Sequence, residues 1–432
     1  MTTGRSLVLA VDGLDDADLS QAPLRDARRP RTGALLRAAT RLRVRSGGPS
    51  EPAPSLAGVM TGASVAHTGV ATEIPLDPAC PRETGTWYAS DLRLPSILDL
   101  ARENGLVTGA LQWPATAGGS AELCLPLVED LGRYRDRWAM AEQTSSPRMV
   151  AEHLRSRRAA GVQLSQVEPD DLVAQVAEET FRADRAGRAP HLALVRLTGL
   201  GRARRRHGHG SPEARRALER VADAVERILD ALDPGDPDRV VLLPGRPLVP
   251  VELLVHPNAV LARHGLIRTD GPRLQDFRAL VWPDGPRGVL HVRRDADDPT
   301  GEAGRHAGEQ AVEALAEVAA HGRLRLRRVD DGIGATARTD VIAVLEGTPG
   351  TLFGLSPTHR PLVEGQDPYY AGPRAVADPS APSTALSRGC GLPSVAVEGT
   401  WADLGVTIAS SMGLQLPAAT AAGMRPAAPA EA

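Results

Sequence analysis

The first residue that could do chemistry is Asp12, a carboxylate that follows a short apolar run and precedes Gly13. The run SLVLAV, residues 6–11, is bounded by turn residues and predicts a buried central strand. Ligands of open α/β sheets bind outside the carboxyl ends of the strands, which is where Asp12 would lie. Asp12 is therefore a candidate site residue, although an Asp-Gly pair after a strand is also compatible with a simple turn.

A second group of candidates lies in the basic, glycine-containing segment GLGRARRRHGHG, residues 199–210. His207 and His209 are two residues apart, unlike the i, i+4 spacing that projects two metal ligands from one helix face, and no acidic or cysteine partner adjoins them. We expect a mobile surface loop here. An acid or base role for His207 toward a bound ligand stays open.

The elements that must position these residues alternate between strands and helices. Further apolar runs predict strands at residues 106–113, 191–198 and 239–243. Helical spacing predicts helices at residues 33–40, 56–62, 96–105, 170–186 and 213–232. Strands that alternate with helices through short connections are typical of a parallel sheet, so the predicted class is α/β.

The organisation changes after about residue 250. A hairpin over residues 277–294, a helix over 308–321 and a strand over 323–329 predict a small inserted α+β subdomain, residues 251–338. After this region, we predict further strands of the main sheet from the apolar runs at residues 340–346 and 394–398, followed by a helix at residues 401–414. We thus assign residues 1–250 and 339–418 to the core, and residues 419–432 to a disordered, low-complexity tail.

Composition excludes several functional classes. The 432 residues are 42% hydrophobic, only 3% aromatic, and carry a formal net charge of -3. Few aromatic side chains and a negative balance argue against nucleic-acid binding, in spite of the arginines at residues 202–206. The sequence contains no lysine, which excludes a lysine Schiff base and a P-loop lysine. We attribute the abundant arginine and alanine to a GC-rich bacterial coding sequence.

Cysteine usage and the N-terminus predict the compartment. Cys80, Cys124 and Cys390 are widely spaced, which is neither a disulfide framework nor a zinc motif. The N-terminal apolar run is too short for a signal peptide, and no segment has the length of a transmembrane span. We therefore expect a cytoplasmic protein with reduced thiols and no membrane partner.

Taken in order, the segments resemble the alkaline phosphatase superfamily, and most closely its nucleotide pyrophosphatase/phosphodiesterase branch. The resemblance extends over about residues 5–415 and is carried by LVLAVDGL (7–14), PAPSLAGVMTGASVAHTGV (52–70), PSILDLARENGLVTGALQWPATAG (95–118), the strand and long helix of residues 191–232, RVVLLPGRPLVPVE (239–252) and GTLFGLSPTH (350–359). It implies a mostly parallel central sheet flanked by helices.

The resemblance also implies a chemistry. Members of this branch use two metal ions, commonly zinc, held by aspartate and histidine at the strand ends, and a threonine or serine between them attacks phosphorus. Two adjacent cations activate the nucleophile and neutralise the phosphoryl oxygens. In this sequence the first metal-binding aspartate falls on Asp12 and the last histidine on His359, the two candidate catalytic residues.

The other functional positions of the family are degenerate here. The nucleophile position falls on Pro52, which has no hydroxyl. The D-x-x-x-H pair falls on Gly201 and Arg205, and the adjacent D-H pair falls on Gly245 and Arg246. Two permanent positive charges thus replace imidazoles, and two glycines replace carboxylates.

These replacements suggest a changed pocket. Arginine binds phosphate or carboxylate with a bidentate fork and needs no metal ion. We hypothesise a metal-free, arginine-lined anion site, in which Arg205 and Arg246 face Asp12 across the space that the glycines leave. The alternative is that both arginines pair with Asp12 and other nearby carboxylates and only fill a pocket that binds no ligand.

Two serines adjoin the lost nucleophile position. Ser55 is well placed as the N-cap of the helix that follows, and Ser50 lies in a proline-rich loop where we expect it to face solvent. Neither serine has an adjacent general base in the sequence, so neither is an obvious substitute nucleophile.

Two functional classes remain open at this point. The first is a diverged family member that binds an anionic small molecule without a metal or other cofactor, either as a pseudoenzyme or as an enzyme repurposed, for instance, for secondary metabolism. The second is an active, zinc-dependent phosphodiesterase or phosphatase with rearranged ligands. We prefer the first, because a two-metal site needs about six aspartate or histidine ligands and only Asp12 and His359 survive.

Overall fold

A computed structural model of the chain describes residues 4–21, 23–45, 48–76, 85–182, 188–294, 301–329, 335, 338–359, 363–365, 372–378 and 381–426.

The strands of these residues follow one another along the whole chain. In chain order they are β1 Ser6–Val11, β2 Thr40–Val44, β3 Thr108–Leu111, β4 Leu123–Leu125, β5 Leu192–Leu197, β6 Arg239–Pro244, β7 Leu248–Pro250, β8 Leu253–Val255, β9 Ile267–Asp270, β10 Arg273–Phe277, β11 Ala279–Asp284, β12 Arg287–Arg293, β13 Leu324–Arg328, β14 Thr339–Gly347, β15 Thr351–Phe353, β16 Val363–Gly365, β17 Ala375–Ala377, β18 Ser383–Gly389, β19 Val397–Gly399 and β20 Arg425–Pro426.

The helices lie between them. In chain order they are α1 Pro30–Ala38, α2 Pro52–Thr61, α3 Val65–Thr68, α4 Ile97–Glu103, α5 Arg137–Thr144, α6 Pro147–Met149, α7 Arg155–Ala159, α8 Pro169–Arg182, α9 Gly199–His207, α10 Pro212–Leu232, α11 Pro257–Arg263, α12 Glu302–Ala319 and α13 Trp401–Ser411. A π-helical turn, Val150–Leu154, joins α6 to α7, and short 3-10 turns occupy Asp18–Ser20 and Ala89–Asp91.

The central sheet has nine strands in the order β20-β19-β2-β18-β6-β1-β5-β3-β4. The five strands from β6 to β4 are mutually parallel, whereas β18 is antiparallel to both of its neighbours. This is the α/β architecture that the alternating pattern predicts. The carboxyl ends of β1, β5 and β6 therefore meet at one edge of the sheet.

Strand β1 is buried on both faces, which explains its continuous apolar run. Leu7, Leu9 and Val11 pack on one face with α8 and α10, and Val8 and Ala10 pack on the other with α2 and α13. Successive side chains of a strand point to opposite faces, so a strand between two helical layers needs apolar residues throughout. Helices on both faces hold β1 in the centre of the domain.

The inserted region forms a separate four-stranded antiparallel sheet in the order β11-β12-β14-β13, with α11 and α12 packed against it. Strand β14 contains residues 340–346, which the sequence assigned to the main sheet. That prediction is wrong, because the apolar side chains of β14 complete the core of this smaller sheet. The predicted hairpin at residues 277–294 and the strand at 394–398 of the main sheet are present as β11–β12 and β19.

Two other local predictions need correction. The segment 199–207, predicted as a loop, is the helix α9, whose buried Leu200 packs in the core and whose buried Arg204 bonds to Asp18. The tail is ordered as far as residue 426, because β20 pairs with β19 at the sheet edge. The remainder of the predicted disordered tail, residues 427–432, lies outside the described residues.

Candidate functional site

Asp12 lies at the carboxyl end of β1 and is buried, with 3% of its surface exposed. Its partner is Arg196, which is equally buried and is the fifth residue of the neighbouring strand β5. The Arg196 Nη2 donates to Asp12 Oδ2 at 2.7 Å, and its Nε lies 3.2 Å from both carboxylate oxygens. The carboxylate of Asp12 is therefore bound by a bidentate guanidinium fork.

A second carboxylate completes this cluster. Arg196 Nη2 also donates to Glu73 Oε1 at 2.8 Å. Although burial opposes the charged form, the two carboxylates raise the pKa of Arg196. The sequence analysis missed both residues, because Arg196 stands inside the apolar run HLALVRL and Glu73 lies far away in the chain. A charged residue within a predicted central strand was the available signal.

Gly201 and Gly245 adjoin Asp12, as the family motif implies, but they leave no open space. A Cβ atom on Gly201 would lie 2.8 Å from Asp12 Cβ, and a Cβ atom on Gly245 would lie 2.3 Å from the Gly13 nitrogen. Such contacts require the backbone to shift. The expectation that the glycines open room in the pocket is wrong, because the backbone itself fills that volume.

A small cavity of about 30 Å³ lies next to this cluster. Asp12, Pro52, Arg205, Gly245 and Arg246 all line it, so the structure brings together five of the sequence-predicted site residues. The volume is about that of one water molecule in liquid water. The Arg205 side chain is half-buried and Arg246 is buried, with 8% exposure.

Arg246 is the most unusual of these residues. Its Nη2 lies 3.4 Å from Ser55 Oγ, and its buried Nε and Nη1 have no hydrogen-bond partner within the described chain. Burial lowers the pKa of Arg246 to about 10, an effect that nearby Arg287 enhances and that Asp284 and Glu51 oppose. Neither Arg246 nor Arg205 forms an ion pair with Asp12, whose fork partner is Arg196. The part of the alternative in which both arginines pair with Asp12 is therefore wrong, whereas Asp284 and Glu51 are nearby carboxylates whose charges act on Arg246.

Glu51 is a further titratable group that the sequence analysis did not identify. It is the half-buried N-cap residue of α2, one position before Pro52. Burial raises the pKa of Glu51 to about 7, Arg205 opposes this increase, and the charges of Glu73 and Asp284 add to it. A carboxyl group that changes charge near neutral pH thus lies close to the arginines.

The structure corrects the expectations for both serines. Helix α2 begins at Pro52, a favoured residue for a first helical turn, so Ser55 lies inside the helix and not at its N-cap. Ser50 is buried and does not face solvent. Its Oγ donates to Asp284 Oδ1 at 2.7 Å, and its backbone nitrogen donates to the same carboxylate at 3.0 Å. These bonds fasten the degenerate nucleophile loop to the inserted sheet.

The predicted histidines lie elsewhere. His207 is exposed at the end of α9 and does not line the cavity, and His209 bonds through Nε2 to Asp15 Oδ2 at 2.8 Å. The ring of His359 stacks on that of His256 with centroids 3.9 Å apart, also away from the cavity. The geometry therefore does not bring His207 or His359 to Asp12.

The described donor groups do not fit a two-cation centre. Within the described ranges, no three His, Cys, Asp or Glu side chains are grouped so that they could hold a metal ion. Asp12 would be a ligand by resemblance, but Arg196 occupies both of its carboxylate oxygens. Arg205 and Arg246, which line the same cavity as Asp12, are cationic, have no lone pair to offer and repel metal ions.

Comparisons with known proteins agree with this architecture. The sequence model of the family described as Type I phosphodiesterase / nucleotide pyrophosphatase matches residues 6–338. A search of the curated proteins finds no match. Human ectonucleotide pyrophosphatase/phosphodiesterase 5 has a similar fold, with a TM-score of 0.60, 13% identity, and coverage of 98% of this chain and 97% of that one.

The murine counterpart gives the same result, with a TM-score of 0.59, 14% identity, and coverage of 95% of this chain and 96% of that one. An inactive variant of the murine protein, solved in complex with AMP, has a TM-score of 0.59 and 13% identity, and the match covers 96% of each chain. At this level of identity the structural matches establish the fold. Among the described helices, none combines the length and apolar character that a membrane crossing requires.

Proposed function

Because this chain belongs to the type I phosphodiesterase/nucleotide pyrophosphatase family, we propose that it is a diverged member that binds an anionic small molecule at a metal-free arginine site. Arg246 and Arg205 are the anion-binding residues of this proposal. No cofactor takes part in the binding. Two-metal phosphoester hydrolysis is lost, and the protein acts either as a pseudoenzyme or in a different, metal-independent reaction.

One observation carries the proposal: Arg246 is a buried guanidinium with two N–H-bearing nitrogens that lack partners in the described chain. Leaving a buried charged donor unsatisfied is costly, and an anion that accepts from Nη1 or from Nε would reduce that cost. The oxygens of phosphate and carboxylate are strong acceptors for a guanidinium N–H. Arg205 adds a second positive charge at the same cavity.

The occupied Asp12 carboxylate supports the loss of two-metal chemistry. A metal ion at Asp12 would have to displace the Arg196 fork, which is held from its other side by Glu73. Pro52 has no hydroxyl to act as a nucleophile. The negative net charge favours a small molecule over a nucleic acid as the partner.

The test is a calorimetric titration of the purified full chain with inorganic phosphate, pyrophosphate and AMP. The last probe is chosen because a murine protein of similar fold was solved with AMP. We expect Arg246→Gln and Arg205→Gln to weaken binding at least about tenfold, the value of one charge-assisted hydrogen bond. The matched control is Arg206→Gln on the exposed face of α9, which should leave binding unchanged. Equal affinities for all four proteins would refute the anion site.

The second candidate, an active metal-dependent phosphodiesterase, is tested in the same preparation. Metal content is measured by mass spectrometry, and hydrolysis of a nitrophenyl phosphodiester is assayed with and without added zinc or manganese. We expect neither stoichiometric metal nor metal-dependent turnover. Turnover that depends on zinc and survives Arg246→Gln would establish the second candidate and refute the first.

We place the protein in the cytoplasm under the same proposal. Cys390 is an exposed free thiol, and Cys124 is a buried one whose Sγ donates to the Thr116 carbonyl. Exposed unpaired thiols suit a reducing compartment. Cys80 lies outside the described residues. Fractionation of the native host with a cytoplasmic marker tests this location.

A further inference from the structure

A groove of about 1170 Å³ adjoins the small cavity. Residues 63–66, 398–403 and 420–426 form its walls on the side of the central sheet, and Arg287, Arg327 and Glu346 line it on the side of the inserted sheet. Drug-sized ligands commonly occupy sites of about 300–1,000 Å³. The groove is therefore large enough for an organic molecule, whereas the cavity beside Asp12 is not.

Three residues line both the cavity and the groove, namely Ser55, Arg246 and Trp401. We call this set the neck. Trp401 is 7% exposed, and its buried Nε1 has no hydrogen-bond partner among the described residues, as is true of Nε and Nη1 of Arg246. Two buried side chains that line the neck thus leave donors without partners among the described residues. Such donors require an acceptor when they are out of contact with water.

Two charge pairs of the groove are locally neutral, because Arg45 bonds to Glu398 at 3.0 Å and Arg327 lies 3.3 Å from Glu346. Arg246 forms no direct ion pair in the part of the chain that the structure describes, although the charges of Asp284 and Glu51 act on it from nearby. An anion that enters the groove is consequently attracted to the neck by a buried guanidinium that has no direct counter-ion contact within the described chain.

Part of the groove wall suits an aliphatic molecule. Pro49, Pro54, Val65 and Ala66 are apolar, and Trp401 is the one aromatic residue among the described lining residues. Because the indole ring of Trp401 is buried, the described walls offer no exposed ring on which a planar base could stack. Apolar contacts between these walls and an alkyl chain would instead contribute to the binding free energy in proportion to the apolar area that they bury.

We propose that the neck binds the anionic head of an organic phosphate or carboxylate and that the groove holds the aliphatic body of the same molecule. An unpartnered N–H of Arg246 and the Trp401 Nε1–H donate to the head, and Arg246 Nη2 lies against Ser55 Oγ. This inference rests on the anion site proposed above and adds its substrate class. Free inorganic anions are then poor ligands, since they leave the groove unused.

The experiment monitors the indole N–H groups of the full chain, labelled with ¹⁵N-tryptophan, by NMR. The chain has five tryptophans, and Trp401→Phe assigns the resonance of Trp401 by its loss. The probes are hexyl phosphate, heptanoate and inorganic phosphate, so that the preferred head group is also identified. Trp138 is an internal control, because its Nε1 already donates to the Val162 carbonyl at 2.9 Å.

We expect the Trp401 resonance, and not that of Trp138, to shift on titration with hexyl phosphate or heptanoate. The better of the two should bind at least about tenfold more tightly than inorganic phosphate, which corresponds to burial of a few methylene groups. Ala66→Trp narrows the groove at an exposed position. In this variant, hexyl phosphate and heptanoate should bind no more tightly than inorganic phosphate, whose own affinity should be unchanged.

The outcomes separate the two proposals. If inorganic phosphate binds in an Arg246-dependent way but hexyl phosphate and heptanoate bind no better, the anion site stands and the groove inference is wrong. The groove inference is also wrong if the Trp401 resonance does not move, since a fixed water would then satisfy its donor. If Arg246→Gln changes no affinity at all, both proposals fail.

Discussion

Arg196 is expected to be the residue on which the integrity of the site depends most. The substitution Arg196→Met keeps much of the side-chain volume but removes the fork that binds Asp12. Asp12 is 3% exposed and would be left as a buried carboxylate without a counter-ion. Removing one partner of a buried ion pair lowers the free energy of unfolding by about 3–5 kcal/mol. Glu73, the second partner of Arg196, adds little to this cost, because its side chain is partly exposed and can regain water. We therefore expect the free energy of unfolding to fall by about that amount at neutral pH.

Removal of the unpaired charge identifies the cause of this loss. Urea unfolding, followed by circular dichroism at neutral pH, compares the native protein, the single variant and a double variant in which Asp12 is also replaced by a neutral amide. The double variant Asp12→Asn/Arg196→Met should recover at least half of the loss at neutral pH.

A matched control is available on the surface. Arg294 and Asp340 form an ion pair of which both side chains are about half exposed. Exposed pairs contribute about 0–1 kcal/mol, so Arg294→Met should have little effect. The reasoning about Arg196 is refuted if its substitution costs no more than that of Arg294. It is equally refuted if the double variant recovers none of the loss, because a purely steric defect would not depend on the charge of Asp12.

Three further predictions concern residues around the site. Ser50→Ala removes the hydroxyl donor of the link to the inserted sheet and keeps the backbone N–H that donates to Asp284. Because the buried Asp284 then loses one of its donors, we expect the free energy of unfolding, measured in urea, to fall by about 1–3 kcal/mol, and a loss below experimental error would contradict the assigned hydroxyl bond. Glu51→Gln should stabilise the protein above pH 7 and not near pH 4, because the raised pKa of Glu51 makes its ionised form unfavourable in the folded state. The gain in the free energy of unfolding, about 1–3 kcal/mol, should grow as the pH rises towards about 7 and then level off. A gain that does not depend on pH would argue against this cause. In the native protein a thiol reagent should modify Cys390 rapidly and Cys124 only after unfolding, because Cys124 is buried and its pKa is raised to about 12. Mass spectrometry of the labelled peptides measures the extent of modification. Prompt labelling of Cys124 in the native protein would show that its surroundings open easily.

The superfamily and the α/β class were predictable from the sequence. Central strands between two helical layers must be apolar throughout, so the run SLVLAV is enough to predict β1. The family match over residues 6–338 confirms the resemblance. The clustering of Pro52, Gly201 and Gly245 beside Asp12 also followed the family motif, because the motif specifies which strand ends carry the site.

The assignment of β14 to the main sheet failed because an apolar run predicts a buried strand but does not indicate which sheet that strand joins. Burial requires only a partner surface, and residues 339–347 find theirs in β12 and β13. The helix α9 was missed for a related reason. Glycine and arginine weaken the local helical signal, while the core contact of Leu200 and the buried bond of Arg204 stabilise the helix through distant residues.

By itself the sequence determined which residue types surround the old metal site: an aspartate, a proline in place of the nucleophile, two glycines and two arginines. The tertiary structure alone decided how their charges are compensated. Arg196 reaches Asp12 because β5 lies next to β1, 184 residues away in the chain, and with Asp12 paired in this way Arg246 forms no direct ion pair among the described residues. Charge pairing depends on distances in space, which a linear pattern of residues does not contain.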